Sequence, residues 1–129
     1  MHYNAAVKKE TREWLDIAEH DIRSAEGLLG LHLVPGAVYF CQQASEKVLK
    51  AMLVEQEGES PPRTHDLVEL ADLAGVQLTR EQRTFLTRLS DQAVASRYPG
   101  PARRYTEEQI RELFEETKRF VEWLRSTLR

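Results

Sequence analysis

Two short runs in the last third of the chain carry the residue types best suited to chemistry. Arg97-Tyr98-Pro99-Gly100 and Arg103-Arg104-Tyr105 combine planar cations, aromatic rings and a backbone restrained by proline. Guanidinium groups grip phosphate oxygens through paired donors, and a tyrosine ring stacks on a base or receives a cation at its face. From Val94 to Tyr105 the three arginines are accompanied by no acid. These positions therefore read as a candidate contact for a nucleotide or an RNA backbone. Loops of this composition also cap bundles and meet other subunits, and both readings stand on the residues alone. Lys47 and Lys50 add charge to the same cleft if the helix that bears them lines it; otherwise Lys47 is the solvated end of an aliphatic stem.

His65 is the histidine with the most suggestive surroundings, with Arg63 before it and Asp66 after it. A general base needs a positioned proton donor or nucleophile within hydrogen-bond reach, and the sequence identifies none. His65 is thus either a divergent catalytic residue or a support for the Pro61-Pro62-Arg63 loop. His2, His20 and His32 are scattered, without the i, i+4 pairing of a helix-borne metal site, and Glu19-His20-Asp21 falls on adjacent faces. The reading therefore assigns no metal and no required cofactor; ATP or another nucleotide is the candidate ligand. Cys41, the single cysteine, cannot form an internal disulfide, and no zinc-type spacing is present.

These side chains have to be positioned by helices. Leu15, Ala18, Ile22, Ala25 and Leu29 recur at three- and four-residue steps, which predicts a first helix over about Lys9 to Leu29, with Glu19, Asp21, Arg23 and Glu26 facing elsewhere. Gly30 and Pro35-Gly36 interrupt the pattern. A second helix is expected from near Gly36 to near Glu57. Its stripe of Ala37, Phe40, Ala44, Val48 and Ala51 is widened by Val38, Leu49, Met52 and Leu53, which marks it as the central element. Tyr39, Gln42, Gln43, Glu46 and Lys50 occupy the remaining seam. Glu46 and Lys50 read as a surface pair, worth about 0.2–0.5 kcal/mol.

Thr64 is the expected cap of a short helix over about His65 to Ala74, closed by Gly75, although Leu67 stands where a capping box needs glutamate. Thr79 with Gln82, and Thr106 with Gln109, supply capping-box patterns for a fourth and a fifth helix. Phe85, Leu86, Leu89 and Ala93 form the apolar side of the fourth, which fades before Pro99; Ile110, Leu113, Phe114, Val121, Leu124 and Leu128 form that of the fifth. No run alternates as a strand does. The expectation is an all-α, up-and-down bundle of four to five helices, with residues 1–129 forming a single domain.

Composition sets the outer limits. The 129 residues and 14.9 kDa suit one core, and 41% hydrophobic with 30% charged residues is ordinary for a globular protein. A net charge of -3 excludes broad electrostatic wrapping of nucleic acid while allowing a local anion site. The charged N-terminal stretch carries neither a signal peptide nor a membrane span, so a cytoplasmic protein without membrane association is expected.

The assembled pattern resembles the HEPN domains (higher eukaryote and prokaryote nucleotide-binding). The resemblance rests on Trp14-Leu15, Ala18, Asp21 and Ala25-Glu26 in the first helix, the run from Tyr39 to Ala51 in the second, Arg63-Thr64-His65-Asp66-Leu67 opening the third, and Arg97-Tyr98-Pro99 near the end of the fourth. It implies a helical homodimer and, for small prokaryotic members, a companion minimal nucleotidyltransferase in a two-component or toxin-antitoxin pair. Catalytic members place a histidine after an arginine and four to six intervening residues. Here Arg97 is followed at those distances by Ala102, Arg103 and Arg104, and no histidine follows His65. The motif in which a tyrosine two residues beyond that histidine accepts nucleotidyl groups is missing as well. The resemblance thus implies a noncatalytic subunit that binds a nucleotide, an RNA element or a nucleotidyltransferase partner. Two alternatives stay open: a metal-independent ribonuclease toxin with a divergent site using His65 and Arg97, and a structural or regulatory interaction module without a small ligand.

Overall fold

A computed structural model of the chain describes residues 7–57, 64–96 and 105–128. Five helices run in order: α1 (Lys9–Gly30), α2 (Val34–Glu57), α3 (Leu67–Leu73), α4 (Arg80–Ala95) and α5 (Glu107–Ser126). No strand occurs among the described residues. The all-α, up-and-down arrangement expected from the periodicities is the one observed, with five helices.

The predicted stripes are the surfaces that meet. Leu15, Ala18, Ala25 and Leu29 of α1 are buried against α2, whose Ala37, Val38, Ala44, Val48, Leu49 and Ala51 have no exposed surface. The two helices are antiparallel, and their far ends are stitched together: Glu55 accepts hydrogen bonds from the Lys8 backbone N–H (3.0 Å) and the buried Thr11 hydroxyl (2.9 Å). α2 also packs against α3, α4 and α5, which makes it the centre of the bundle. α5 returns antiparallel to α1, with Arg111 donating to the Leu29 carbonyl (2.8 Å) at one end and Arg125 bound to Glu19 at the other. Phe85 of α4 meets Phe120 of α5, ring centroids 5.7 Å apart.

The helix ends explain where the sequence reading was right and where it slipped. α2 begins at Val34, two residues before the expected start, because Pro35 falls in the first turn, where its missing N–H would be unpaired anyway. α1 is closed by His32 in the left-handed region (φ 61), with Leu33 N–H donating to Leu28 O (2.8 Å) and His32 N–H to Leu29 O (3.0 Å). This Schellman turn uses a histidine where glycine is usual. The His32 ring in turn reaches Glu107 (2.9 Å), and together with Arg111 it holds that carboxyl below the ordinary range. Gly36 packs closely nearby, where a Cβ would meet the Leu28 Cδ1 methyl at 3.0 Å and the leucine side chain would have to shift.

Thr64 is not the cap of α3. Asp66 is, its carboxylate accepting the Glu69 N–H (2.9 Å), so the helix starts at Leu67, the cap lies two residues later than expected and the N3 place is taken by Glu69 rather than Leu67. Thr64 instead accepts the Asp66 N–H (3.2 Å). Gly75 closes α3 with φ 71, as its position suggested.

Both other caps are the predicted ones. Thr79 with Gln82, and Thr106 with Gln109, form complete reciprocal boxes. Thr106→Ala is expected to destabilise the protein by about 1 kcal/mol, and Thr106→Gly by only a few tenths. Urea unfolding of the two variants checks this; equal losses would mean that the hydroxyl is not what holds the N-terminus of α5.

Candidate functional site

The seam on α2 is not a solvated strip. Gln42, Glu46 and Lys50 are all buried, Glu46 with 2% and Lys50 with 8% of its surface exposed. The expectation of a surface Glu46–Lys50 pair is therefore corrected: Lys50 Nζ donates to Glu46 Oε2 (2.9 Å) inside the bundle, and the ammonium lies 5.7 Å from the centre of the Trp14 ring. Trp14 of α1 and His65 of the segment entering α3 come over the seam, which helical spacing within α2 could not reveal. Asp21 is corrected in the same way. It is buried beside the seam rather than turned away from the bundle.

A chain of hydrogen bonds runs along these residues. Lys47 donates to Gln43 Oε1 (2.6 Å), Gln43 to Gln42 Oε1 (2.9 Å), and Gln42 toward Glu46 Oε1 (3.4 Å). Glu46 Oε1 is also 3.0 Å from His65 Nδ1, so one carboxylate collects groups from α2 and from the segment leading into α3. Burial by itself raises a carboxyl pKa, but here the hydrogen bonds from Lys50 and His65, with the charges of Lys50 and Lys47, outweigh it. Glu46 is held below its ordinary value and stays ionised. Asp21 shows the reverse balance: burial pushes it up and nearby Glu46 adds to the rise, with Lys47 and His20 only partly opposing.

This chain of polar groups borders a pocket of about 400 Å³ between α2, α3 and the end of α4. Tyr39, Gln42, Gln43 and Glu46 form one wall, His65 and Asp66 the second, and Ser90, Ala93 and Val94 the third. A separate groove between α4 and α5, about 340 Å³, has an aromatic floor of Phe85, Phe120 and Trp123, and none of the described sequence-predicted site residues line it.

Of the residues singled out from the sequence, His65 lies in the wall of the first pocket. Lys47 and Lys50 stand behind that wall, bonded to Gln43 and Glu46. Tyr105 is half-buried against the core and lines a different small pocket, with Gln92 and Gln109. Arg97, Tyr98, Arg103 and Arg104 lie outside the described residues, as does the Pro61-Pro62-Arg63 loop. The sequence reading overlooked Glu46, Gln42, Asp66 and Tyr39 as site residues. The available signal was the i, i+4 ladder Gln42, Glu46, Lys50 on a helix apolar on both sides, a spacing that aligns three polar groups in one buried row. Among the described residues no cluster of three or more histidine, cysteine or acidic side chains is arranged to hold a metal ion. No described helix is long and apolar enough to cross a membrane.

Cys41 lies on the same helix, fully buried, and burial pushes its thiol up to about 12 despite a hydrogen bond with Thr117. Because the thiolate is the nucleophile, alkylation of the native protein by iodoacetamide should be slower than that of the unfolded chain by roughly 10³-fold. Mass spectrometry with and without urea reads this directly, and equal rates would place the thiol at the surface.

The family is settled by comparison. The HEPN domain model matches residues 11–127. The chain belongs to the HEPN family. Among solved structures, this HEPN chain is similar to TT1696 from Thermus thermophilus, at 26% identity over 94% of this chain and 100% of that one, with a TM-score of 0.80. It is similar also to ST0689, an archaeal HEPN homologue, at 26% identity over 92% of this chain and 98% of that one, with a TM-score of 0.71. No match was found among curated proteins.

Proposed function

We propose that this HEPN protein is a noncatalytic binding subunit, a homodimer that associates with a nucleotide, an RNA element or a minimal nucleotidyltransferase partner in a two-component or toxin-antitoxin system. The observation that carries the partner branch is the pocket beside α2, whose polar wall is locked by the Glu46 hub before any ligand arrives; the nucleotide and RNA branch rests on the acid-free stretch with Arg97, Arg103 and Arg104. Preorganised polar groups beside an exposed aromatic ring are the usual make-up of a recognition site. The absence of an Arg-spacer-His sequence supports binding over cleavage.

Titration with ATP, other nucleotides and short RNA tests the ligand branch. Arg97→Ala or Arg104→Ala should each cost about 1.5–3 kcal/mol of binding if that arginine makes a charge-assisted contact. Absence of binding by the protein, alone and mixed with a minimal nucleotidyltransferase, would count against the reading, and light scattering that shows a monomer would remove the dimer from it.

The metal-independent ribonuclease is the second reading, and the contact between His65 and Glu46 favours it, since a carboxylate-oriented imidazole is a common general base. Cleavage of an RNA panel in EDTA, lost in His65→Ala, would establish it; uniformly intact RNA would set it aside.

A further inference from the structure

The pocket beside α2 has a polarity opposite to that of the arginine-rich stretch. Its described lining contains two carboxylates, Glu46 and Asp66, and no lysine or arginine. Hydrogen-bond directions around Glu46 are fixed by the groups themselves. Lysine only donates, so Lys47 sets the Gln43 amide with its oxygen toward the ammonium, Gln43 then sets Gln42, and the Gln42 amide nitrogen faces Glu46. An ionised Glu46 only accepts, and His65 Nδ1, 3.0 Å from it, must therefore carry a proton. In the neutral imidazole this leaves Nε2 as a bare acceptor. Nε2 makes no hydrogen bond among the described residues, and the His65 side chain is 76% exposed. Asp66 uses Oδ1 to cap α3, and its second oxygen likewise has no hydrogen bond among the described residues. The exposed Tyr39 ring and the apolar Ala93 and Val94 line the same pocket.

We propose that this pocket binds a guanidinium cation, either the arginine side chain of a protein partner or a free guanidinium compound, with His65 Nε2 and Asp66 as acceptors and the Tyr39 ring as the stacking face. The inference rests on the reading of this pocket as a recognition site and assigns its chemistry. A planar, weakly hydrated, multi-donor ion fits acceptors beside an aromatic face better than a compact, strongly hydrated ammonium does. Phosphate would meet acceptors and carboxylates there, so this lining does not suit a nucleotide phosphate. Among the described residues, the charged groups beside the imidazole are Glu46, with Lys50 behind it on α2, and Asp66 at the head of α3, and α4 contributes Ser90, Ala93 and Val94 to the lining.

The test uses the full chain, with NMR of the His65 ring and calorimetry. The probes are agmatine, a short neutral peptide with a single arginine, its lysine counterpart, and ATP. Agmatine or the arginine peptide should shift the His65 resonances saturably, with the lysine peptide about tenfold weaker. Asp66→Asn keeps a capping side chain but loses the charge, and should weaken binding about tenfold with the melting temperature unchanged. Binding of the peptide alone identifies a protein partner as the source, and equal binding of agmatine identifies a free compound. Guanidinium probes that leave His65 unmoved, or ATP that shifts it and binds more tightly to Asp66→Asn, would overturn the proposal. ATP bound without any shift of His65 by the guanidinium probes leaves the functional reading standing alone, whereas loss of every ligand, nucleotide and partner removes both.

Discussion

Glu46→Ala is expected to lower the unfolding free energy by about 3–5 kcal/mol, the cost of leaving a buried charge without its partner. The stranded group is Lys50, which is 8% exposed and has Glu46 as its ion-pair partner. His65 and Gln42 lose their shared acceptor in the same step. If the loss comes from the uncompensated ammonium, the double variant Glu46→Leu/Lys50→Met should recover most of it, because apolar groups of similar volume often replace a buried pair at little cost. A urea-unfolding cycle over the two single variants and the double measures the coupling directly. A loss below about 0.5 kcal/mol would return the pair to the class of exposed helix pairs.

The same position carries a pH signature. Glu46 is depressed in the folded state, so its stabilising contribution is complete above the unfolded carboxyl value and is lost as pH falls through the lowered folded one. The deficit of Glu46→Gln against wild type should therefore shrink on acidification. Asp21 has the opposite sign. Its raised folded value means that the cost of its burial is present at neutral pH and relieved below the unfolded value. Asp21→Asn should accordingly be more stable than wild type at neutral pH, with the gain vanishing in acid. Unfolding curves across a pH series separate the two; parallel curves would contradict both assignments.

Leu49→Ala is the second large effect, expected to cost about 2–5 kcal/mol through lost transfer energy and an incompletely collapsed cavity. Leu49 has no exposed surface and lies on α2, which is packed by all four other helices, so no single neighbour can move in to fill the space. Leu31→Ala, at a residue 68% exposed in the α1–α2 turn, is the matched control and should stay within about 0.5 kcal/mol. Similar losses at the two positions would mean that α2 is not the core of the bundle.

Much of the fold could be read directly from residue spacing. The stripe on α1, the wide apolar face of α2 and the Thr79 and Thr106 boxes are local patterns, written within one helix and decided by helical geometry alone. Thr64 shows where local reading slips by two residues: Asp66 is the cap, because Glu69 then falls in the first turn of α3 and the apolar Leu67, Leu70 and Ala71 face the core. The site was less legible. Glu46 and Lys50 have the spacing of a surface pair, and only the approach of Trp14 from α1 and His65 from the segment entering α3 makes them a buried one.

Residue order was enough to specify five helices, their apolar faces, two of their caps and membership in a family recognisable from the α2 run, because these depend on contacts within about a turn or on patterns along one element. Packing between helices was needed to bury the α2 seam, to bring His65 to Glu46 from nineteen positions away, and to assign Tyr105 to a different pocket. Burial and charge pairing belong to the space between elements: a carboxylate costs energy or supplies order according to which donors surround it, and those donors come from helices distant in the chain.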